Sequence, residues 1–355
     1  MLLTNNRVEV DPDTFRFMQF AAERGWGDGL PLVPPTLDRV EAHVAASGAD
    51  AQAVVGRIPP QNADCTVERL AINAVMAGAP AEAMPLLMAA IRAITTHDFG
   101  LHPINATSAP VIPALVVNGP VRNRLDLSCG AGCVGGADGP NLAIGRALRL
   151  VIRNIGGQRV GATSQTCFGQ PARVTGIVIG EWEEQSPWEP LAQRRGVAGD
   201  ALTAFSTNGT MNIVDNSSET ADLLLDRIGR SLAYPGSNGF RPHAEYTTVG
   251  VGINPVWAAI IGKAYPDMAD VQQRLWELAS LRLDSWPREH QALLEEARMV
   301  MPDGRVHVVK DPGRLLVFVC GGLIGHHALA LHGFSSCVPA TCAIEAGGMA
   351  ATALQ

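Results

Sequence analysis

The sequence predicts an α/β fold: a mixed or mostly parallel sheet with flanking helices, preceded by a mainly helical N-terminal third. Three observations predict it. Hydrophobic residues make up 47% of the 355 residues and charged residues only 17%, enough apolar material for a large core. From residue 110 onward, short continuous apolar runs end in turn residues, as strands buried on both faces do. Helical stretches fall between those runs.

In chain order, Asp11-Pro12-Asp13 starts a helix, with Asp11 as cap and Pro12 in the first turn, running to Arg24 and stopping at Gly25. Trp26 to Thr36 (WGDGLPLVPPT) holds three Pro and two Gly and forbids a regular helix. Thr36 caps a helix over Leu37 to Ala46; Thr66 to Ala77 and Ala81 to Thr95 follow as helices separated by Gly78 and Pro80. Strands are expected at Val111 to Val117, Val174 to Ile179, Thr247 to Ile253 and Leu315 to Val319. Helices are expected at Asn141 to Asn154, Ser218 to Ser231 and Asp267 to Leu283. The pattern divides the chain into a mainly helical region, 1–105, packed on an α/β core, 106–355, or joins both in one continuous domain. No internal repeat is visible.

The formal charge of −7 argues against a nucleic-acid partner. The most apolar stretch, Leu315 to Phe334, is broken by Gly and His and reads as a strand and loop, not a membrane span. The first ten residues lack a signal-peptide core, and seven Cys is an odd count, so a cytoplasmic protein with free thiols is expected. A homo-oligomer is also expected.

Ligands of open α/β sheets bind beyond the carboxyl ends of the strands. That rule selects the turns at Asn118, Glu181, Asn254 and Cys320 as pocket walls. The segment Ser128 to Pro140 holds five Gly and two Cys and leads into the Asn141 helix. Its backbone N–H groups and the helix N-terminus favour an anion and a thiolate. Cys129, or second Cys133, is the candidate nucleophile, with Gly130, Gly132 and Asn141 stabilising developing charge. His326 or His327 is the candidate base, and Arg146 the candidate clamp for an anionic substrate. A metal bound by Cys and His is the competing arrangement, although C-x₃-C is not an ordinary zinc spacing and further ligands such as Cys167 would be needed.

Trp26 to Thr36, Thr66 to Gly78 (TVERLAINAVMAG), Asn141 to Gly157 (NLAIGRALRLVIRNIGG) and Glu181 to Pro190 (EWEEQSPWEP) resemble a bacterial family with a WGDGLPLVPPT-type motif. Its members accompany, or are fused to, small selenocysteine- or cysteine-containing proteins of the UGSC family. The resemblance implies cleavage or reduction of a small molecule together with such a redox partner. It carries over no catalytic residue, because the Cys129 loop here holds two Cys where relatives often have a Ser or a single Cys.

Three functions follow. The first is a cysteine-dependent hydrolase or lyase cleaving a carbon–heteroatom bond, needing no cofactor. The second is a metal-dependent hydrolase or lyase. The third is a non-catalytic subunit that positions a small thiol or selenol protein.

Overall fold

The computed structural model describes residues 3–11, 13–242, 244, 247–334 and 337–345. The N-terminal third is helical, with one strand pair: α1 (Thr14–Glu23), α2 (Leu37–Ser47), β1 (Val54–Ile58), β2 (Ala63–Thr66), α3 (Val67–Ala77), α4 (Met84–Ile94) and α5 (Leu101–Ala106). Then come β3 (Ile112–Asn118), α6 (Val121–Arg124), α7 (Asn141–Asn154), α8 (Ala172–Thr175), β4 (Ile177–Gly180), α9 (Leu191–Arg194), β5 (Ala201–Thr207) and β6 (Met211–Val214). The last part holds α10 (Ala221–Leu232), β7 (Val249–Ile253), α11 (Pro255–Ala264), α12 (Met268–Leu278), β8 (Ser280–Arg282), α13 (Arg288–Glu296), β9 (Arg305–His307), β10 (Leu315–Val319), β11 (His327–His332) and β12 (Ala340–Ala343).

The expected fold class is present, and the sheets are mixed. One runs β4-β3-β5-β12 and the other β10-β7-β11-β6. Each has one parallel pair, β3 with β4 and β7 with β10, followed by two antiparallel pairs.

Side-chain alternation along the strands divides the interior into three layers. In β3, Ile112, Ala114 and Val116 point to a central layer; Leu115 and Val117 point to the opposite face. In β10, Leu316 and Phe318 join the same central layer, and Leu315, Val317 and Val319 face away. The two sheets therefore pack face to face. Helices α3, α4 and α7 cover the first sheet's outer face, and α10, α11 and α12 cover the second's. Gly250 of β7 makes room for Phe205 of β5 between the sheets: a Cβ there would lie 2.8 Å from the Phe205 ring.

The four layers contain a repeat that residue patterns do not show. The series β3, helix, β4, β5, β6 recurs as β7, helices, β10, β11, β12, in the same sheet order. In both halves the fourth strand leaves its own sheet. β6 pairs with β11 and β12 pairs with β5. Hydrogen bonds agree: Glu181 N–H donates to Val117 O at 3.0 Å, and Cys320 N–H donates to Ile253 O at 3.0 Å. Asn118 and Asn254 thus hold equivalent strand ends, as do Glu181 and Cys320.

Several expected boundaries shift for physical reasons. Asp13, not Asp11, caps α1, its carboxylate accepting from the Phe15 and Arg16 N–H groups; Pro12 lies outside the described residues. The run from Val174 opens in the single turn α8, and β4 starts only after Gly176, whose φ of +65° breaks the path. Thr220 caps α10, three residues late, because its hydroxyl accepts from Leu223 N–H. The helix from Asp267 stops at Leu278, since Ser280–Arg282 pairs with β9. Among the described residues no helix is long and apolar enough to cross a membrane.

Helix α7 lies directly on the start of β4. A Cβ on Gly145 would sit 2.4 Å from Thr175 O, and one on Gly176 would sit 2.6 Å from the Gly145 carbonyl carbon. Gly145→Ala is therefore predicted to cost about 3 kcal/mol, the upper part of the range for overpacking. Urea unfolding measures it, and a loss under about 0.5 kcal/mol, that of an ordinary surface substitution, contradicts this contact.

Candidate functional site

The site forms where the parallel strands of both sheets end. After β3 the chain turns through Asn118, Gly119 and Pro120 into the one-turn helix α6, which carries Arg122. After β4 it passes Glu181 and Trp182. Trp182 N–H donates to Val319 O at 2.7 Å, which ties this turn to the end of β10 in the other sheet. After β10 come Cys320 and Gly321, and Gly321 N–H donates to Cys129 O at 2.9 Å. The Gly-rich loop is thus held between the two sheets' strand ends.

Asn141 fixes that loop. Its Oδ1 accepts from Ser128 N–H at 2.9 Å, and its Nδ2 donates to Ser128 O and Val178 O. This leaves Asn141 a structural pin rather than a ligand group. Gly130 is needed because the Trp182 ring lies 3.1 Å from where its Cβ would be, and Gly132 because its φ is +72°.

Three thiols meet here, none in a disulfide. Cys133 and Cys320 share a hydrogen bond deep in the central layer. The Cys320 thiol lowers Cys133 from the usual thiol range; burial opposes this, and the Gly321 N–H adds to it. The same bond, with complete burial, pushes Cys320 well above that range. One sulfur is therefore favoured as thiolate and its neighbour as thiol. Burial raises Cys129, only partly offset by Arg122, whose Nη1 lies 3.8 Å from the sulfur. Cys129 also packs on the backbone of β4: a Cβ on Gly180 would lie 2.4 Å from its Sγ. Of the two expected nucleophiles, the electrostatics favour Cys133. The backbone N–H groups that lower Cys133 are those of Gly321, after β10, and of Cys133 itself within the expected Gly-rich loop; none from the start of α7 joins them among the described residues.

Around the thiols lies a dense acid–base net. Arg122 is 2% exposed and pairs with Glu183 at 3.1 Å and Glu184 at 3.0 Å. It also donates to the Gly119 and Glu181 carbonyls. Burial raises the Glu181 carboxyl, although Asn118 Nδ2 donates to it at 2.6 Å and Leu191 N–H at 2.8 Å. Glu181 and Cys129 both feel Cys320 electrostatically.

The other expected residues lie differently. His326 and His327 are exposed, and among the described residues neither imidazole hydrogen-bonds to a thiol. Their backbone is engaged: His326 O accepts from Asp215 N–H, and His327 O from Asn254 Nδ2. Arg146 is taken up by Asp28 at 2.8 Å and by the Leu30 and Pro31 carbonyls, so it clamps the Trp26–Thr36 segment and not a substrate. Asn254 caps α11 through Trp257 N–H. The Asn118, Glu181 and Cys320 turns do converge. Arg122, Glu183 and Glu184 join the site without a motif in the sequence to mark them. The signal available was position, since all three follow strand ends.

Among the described residues no group of three or more His, Cys, Asp or Glu is placed to hold a metal ion. A cavity of about 840 Å³ opens beyond Leu191, lined by Trp188, Arg194 and Met268 among others, and no thiol lines it. No family model matches the chain, and no curated protein matches it. Fold and site together define a four-layer α/β protein with a three-thiol cluster at paired strand ends.

Cys320→Ala is predicted to slow alkylation of Cys133 at pH 7 about tenfold, the effect of losing one hydrogen bond to a charged group. Peptide mass spectrometry after iodoacetamide treatment measures it. Because the Cys133 thiol is lowered, its labelling in the unaltered protein sets in at lower pH than ordinary thiols and falls off as pH drops further. An unchanged rate in Cys320→Ala removes the thiol–thiolate assignment.

Proposed function

We propose that the protein is a cysteine-dependent enzyme that cleaves a carbon–heteroatom bond in a small molecule. The observation that supports this most is the unequal thiol pair, with Cys133 favoured as thiolate and Cys320 as proton donor. The Cys133 sulfur attacks an electrophilic carbon and forms an S–C bond. The carbon–heteroatom bond breaks; the heteroatom leaves with the bonding pair and takes the Cys320 proton. Water then attacks the same carbon, its proton returns to Cys320, and the Cys133 thiolate leaves. The sum is hydrolysis. Elimination on the same thiolate would make the protein a lyase. Arg122, against burial, is kept charged by Glu184 and Glu183 and lies 3.8 Å from the Cys129 sulfur, so it supports the loop that carries the thiols. Free thiols suit a cytoplasmic setting.

A second reading keeps the resemblance to the UGSC-associated family. Leu323 and Ile324, in the loop after Cys320, are 62% and 70% exposed. Two exposed aliphatic side chains three and four residues from a buried thiol suit docking of a small thiol or selenol protein.

Screening of small electrophiles tests the first reading. Cys133→Ser is predicted to lose at least about 10³ in kcat, since a hydroxyl is a far weaker nucleophile than a thiolate, while Cys129→Ser retains most turnover. Full turnover in Cys133→Ser rejects it. Leu323→Asp with Ile324→Asp leaves small-molecule turnover intact under the first reading and abolishes partner-dependent turnover under the second.

A further inference from the structure

Away from the thiols, four arginines gather where α7 ends and the loop before β4 begins. Arg149 and Arg153 stand on α7, Arg159 on the loop that follows and Arg173 on the one-turn helix α8. Arg149 is buried, 5% exposed. Its Nε donates to Arg173 O at 2.9 Å and its Nη2 to the Gln158 side chain. Arg173 Nη2 donates to Ser164 Oγ at 2.9 Å. The Ser164 turn closes on Arg159, whose carbonyl accepts from Ser164 N–H at 2.9 Å. Hydrogen bonds therefore tie Arg149, Arg173 and the Ser164 turn together, while the Arg153 charge acts on Arg149 and the Arg159 charge on Arg153.

What it lacks is negative charge. Among the described residues none of the four arginines forms an ion pair with a carboxylate. Asp28, the carboxylate that acts on Arg153 among the described residues, is already paired with Arg146. Three buried donors have no acceptor among the described residues: Arg149 Nη1, Arg173 Nη1 and Arg153 Nε. Thr166 Oγ1, in the same loop, has no partner either. Burial and the charges of Arg173 and Arg153 pull Arg149 down to about 9. Unpaired buried cations and unsatisfied donors are each costly, and arginines that act on one another without a carboxylate between them call for a counter-charge.

We propose that this cluster is a binding site for a phosphate-class oxyanion, taken free or as the phosphate group of an ester. The three unpartnered N–H donors belong to separate guanidinium groups, and a tetrahedral oxyanion, with several acceptor oxygens, offers them more partners than a halide does. The site is separate from the thiols. Arg149 lies eight residues beyond Asn141, about 12 Å along the axis of α7. Arg173 precedes β4, whereas the thiol cluster lies past that strand's other end.

Calorimetric titration of the full chain with inorganic phosphate at constant ionic strength tests the proposal, with chloride as control and ribose 5-phosphate as the ester probe. Phosphate is expected to bind in a 1:1 ratio and chloride not at all. Tighter binding of ribose 5-phosphate assigns an ester ligand; tighter binding of inorganic phosphate assigns the free ion. Arg153 makes no side-chain hydrogen bond among the described residues, so Arg153→Gln should fold, with a Tm in phosphate-free buffer equal to or above the parent's. It should weaken binding about tenfold, the loss of one charge-assisted contact. Arg173→Gln should weaken binding too, and if it fails to fold, Arg153→Gln alone decides. Cys133→Ser should bind phosphate as the parent does, so failure of the thiol reading and failure of this one are told apart. Absence of binding by both probes, or undiminished binding in Arg153→Gln, overturns the proposal.

Discussion

Each half of this molecule gives its last strand to the other half's sheet. β6 follows β5 yet pairs with β11, and β12 follows β11 yet pairs with β5. Two mixed sheets joined in this way cannot slide or turn apart without breaking ladders in both. The central layer of Ile, Val, Leu and Phe side chains then packs between two fixed faces. Everything beyond the carboxyl ends of β3, β4, β7 and β10 inherits that fixed geometry.

The site follows from this constraint. Equivalent strand ends carry different residues: Glu181 in one half, Cys320 in the other. Duplication supplies the place, and the differing residues supply the asymmetry that chemistry needs. The Gly-rich loop between β3 and α7 enters between the two ends and brings Cys129 and Cys133 to Cys320. Its backbone bond from Gly321 and its Asn141 pins give the thiols a fixed spacing. A buried thiol pair in such a frame shares its proton unequally, because charge on both sulfurs is disfavoured in an apolar layer.

Much of the fold was legible in the residues. Asn141–Asn154 and Leu315–Val319 read off residue for residue, since one follows Pro140 with helical apolar spacing and the other is an unbroken apolar run. β5 was not legible, because Thr203, Ser206 and Thr207 look like loop residues although all are buried. β11 was hidden inside an apolar stretch interrupted by Gly and His. The repeat was invisible because it lies in hydrogen-bond order and sheet order, not in residue type. In the site, the strand-end rule located Asn118, Glu181 and Cys320, and Gly density located the Cys loop. Arg122 escaped because a charged residue in a four-residue helix carries no sign of being buried. Arg146 misled because an Arg on an apolar helix suits an internal clamp as well as a substrate clamp.

The central claim is that one of three clustered thiols deprotonates below the ordinary thiol range and that it is Cys133. Ultraviolet difference absorbance near 240 nm, followed from pH 4 to pH 10, measures thiolate formation directly. The account predicts a step below the ordinary thiol pKa of about 8.5 that disappears in Cys133→Ser and persists in Cys129→Ser. A step that survives Cys133→Ser, or no step below that value, would contradict it.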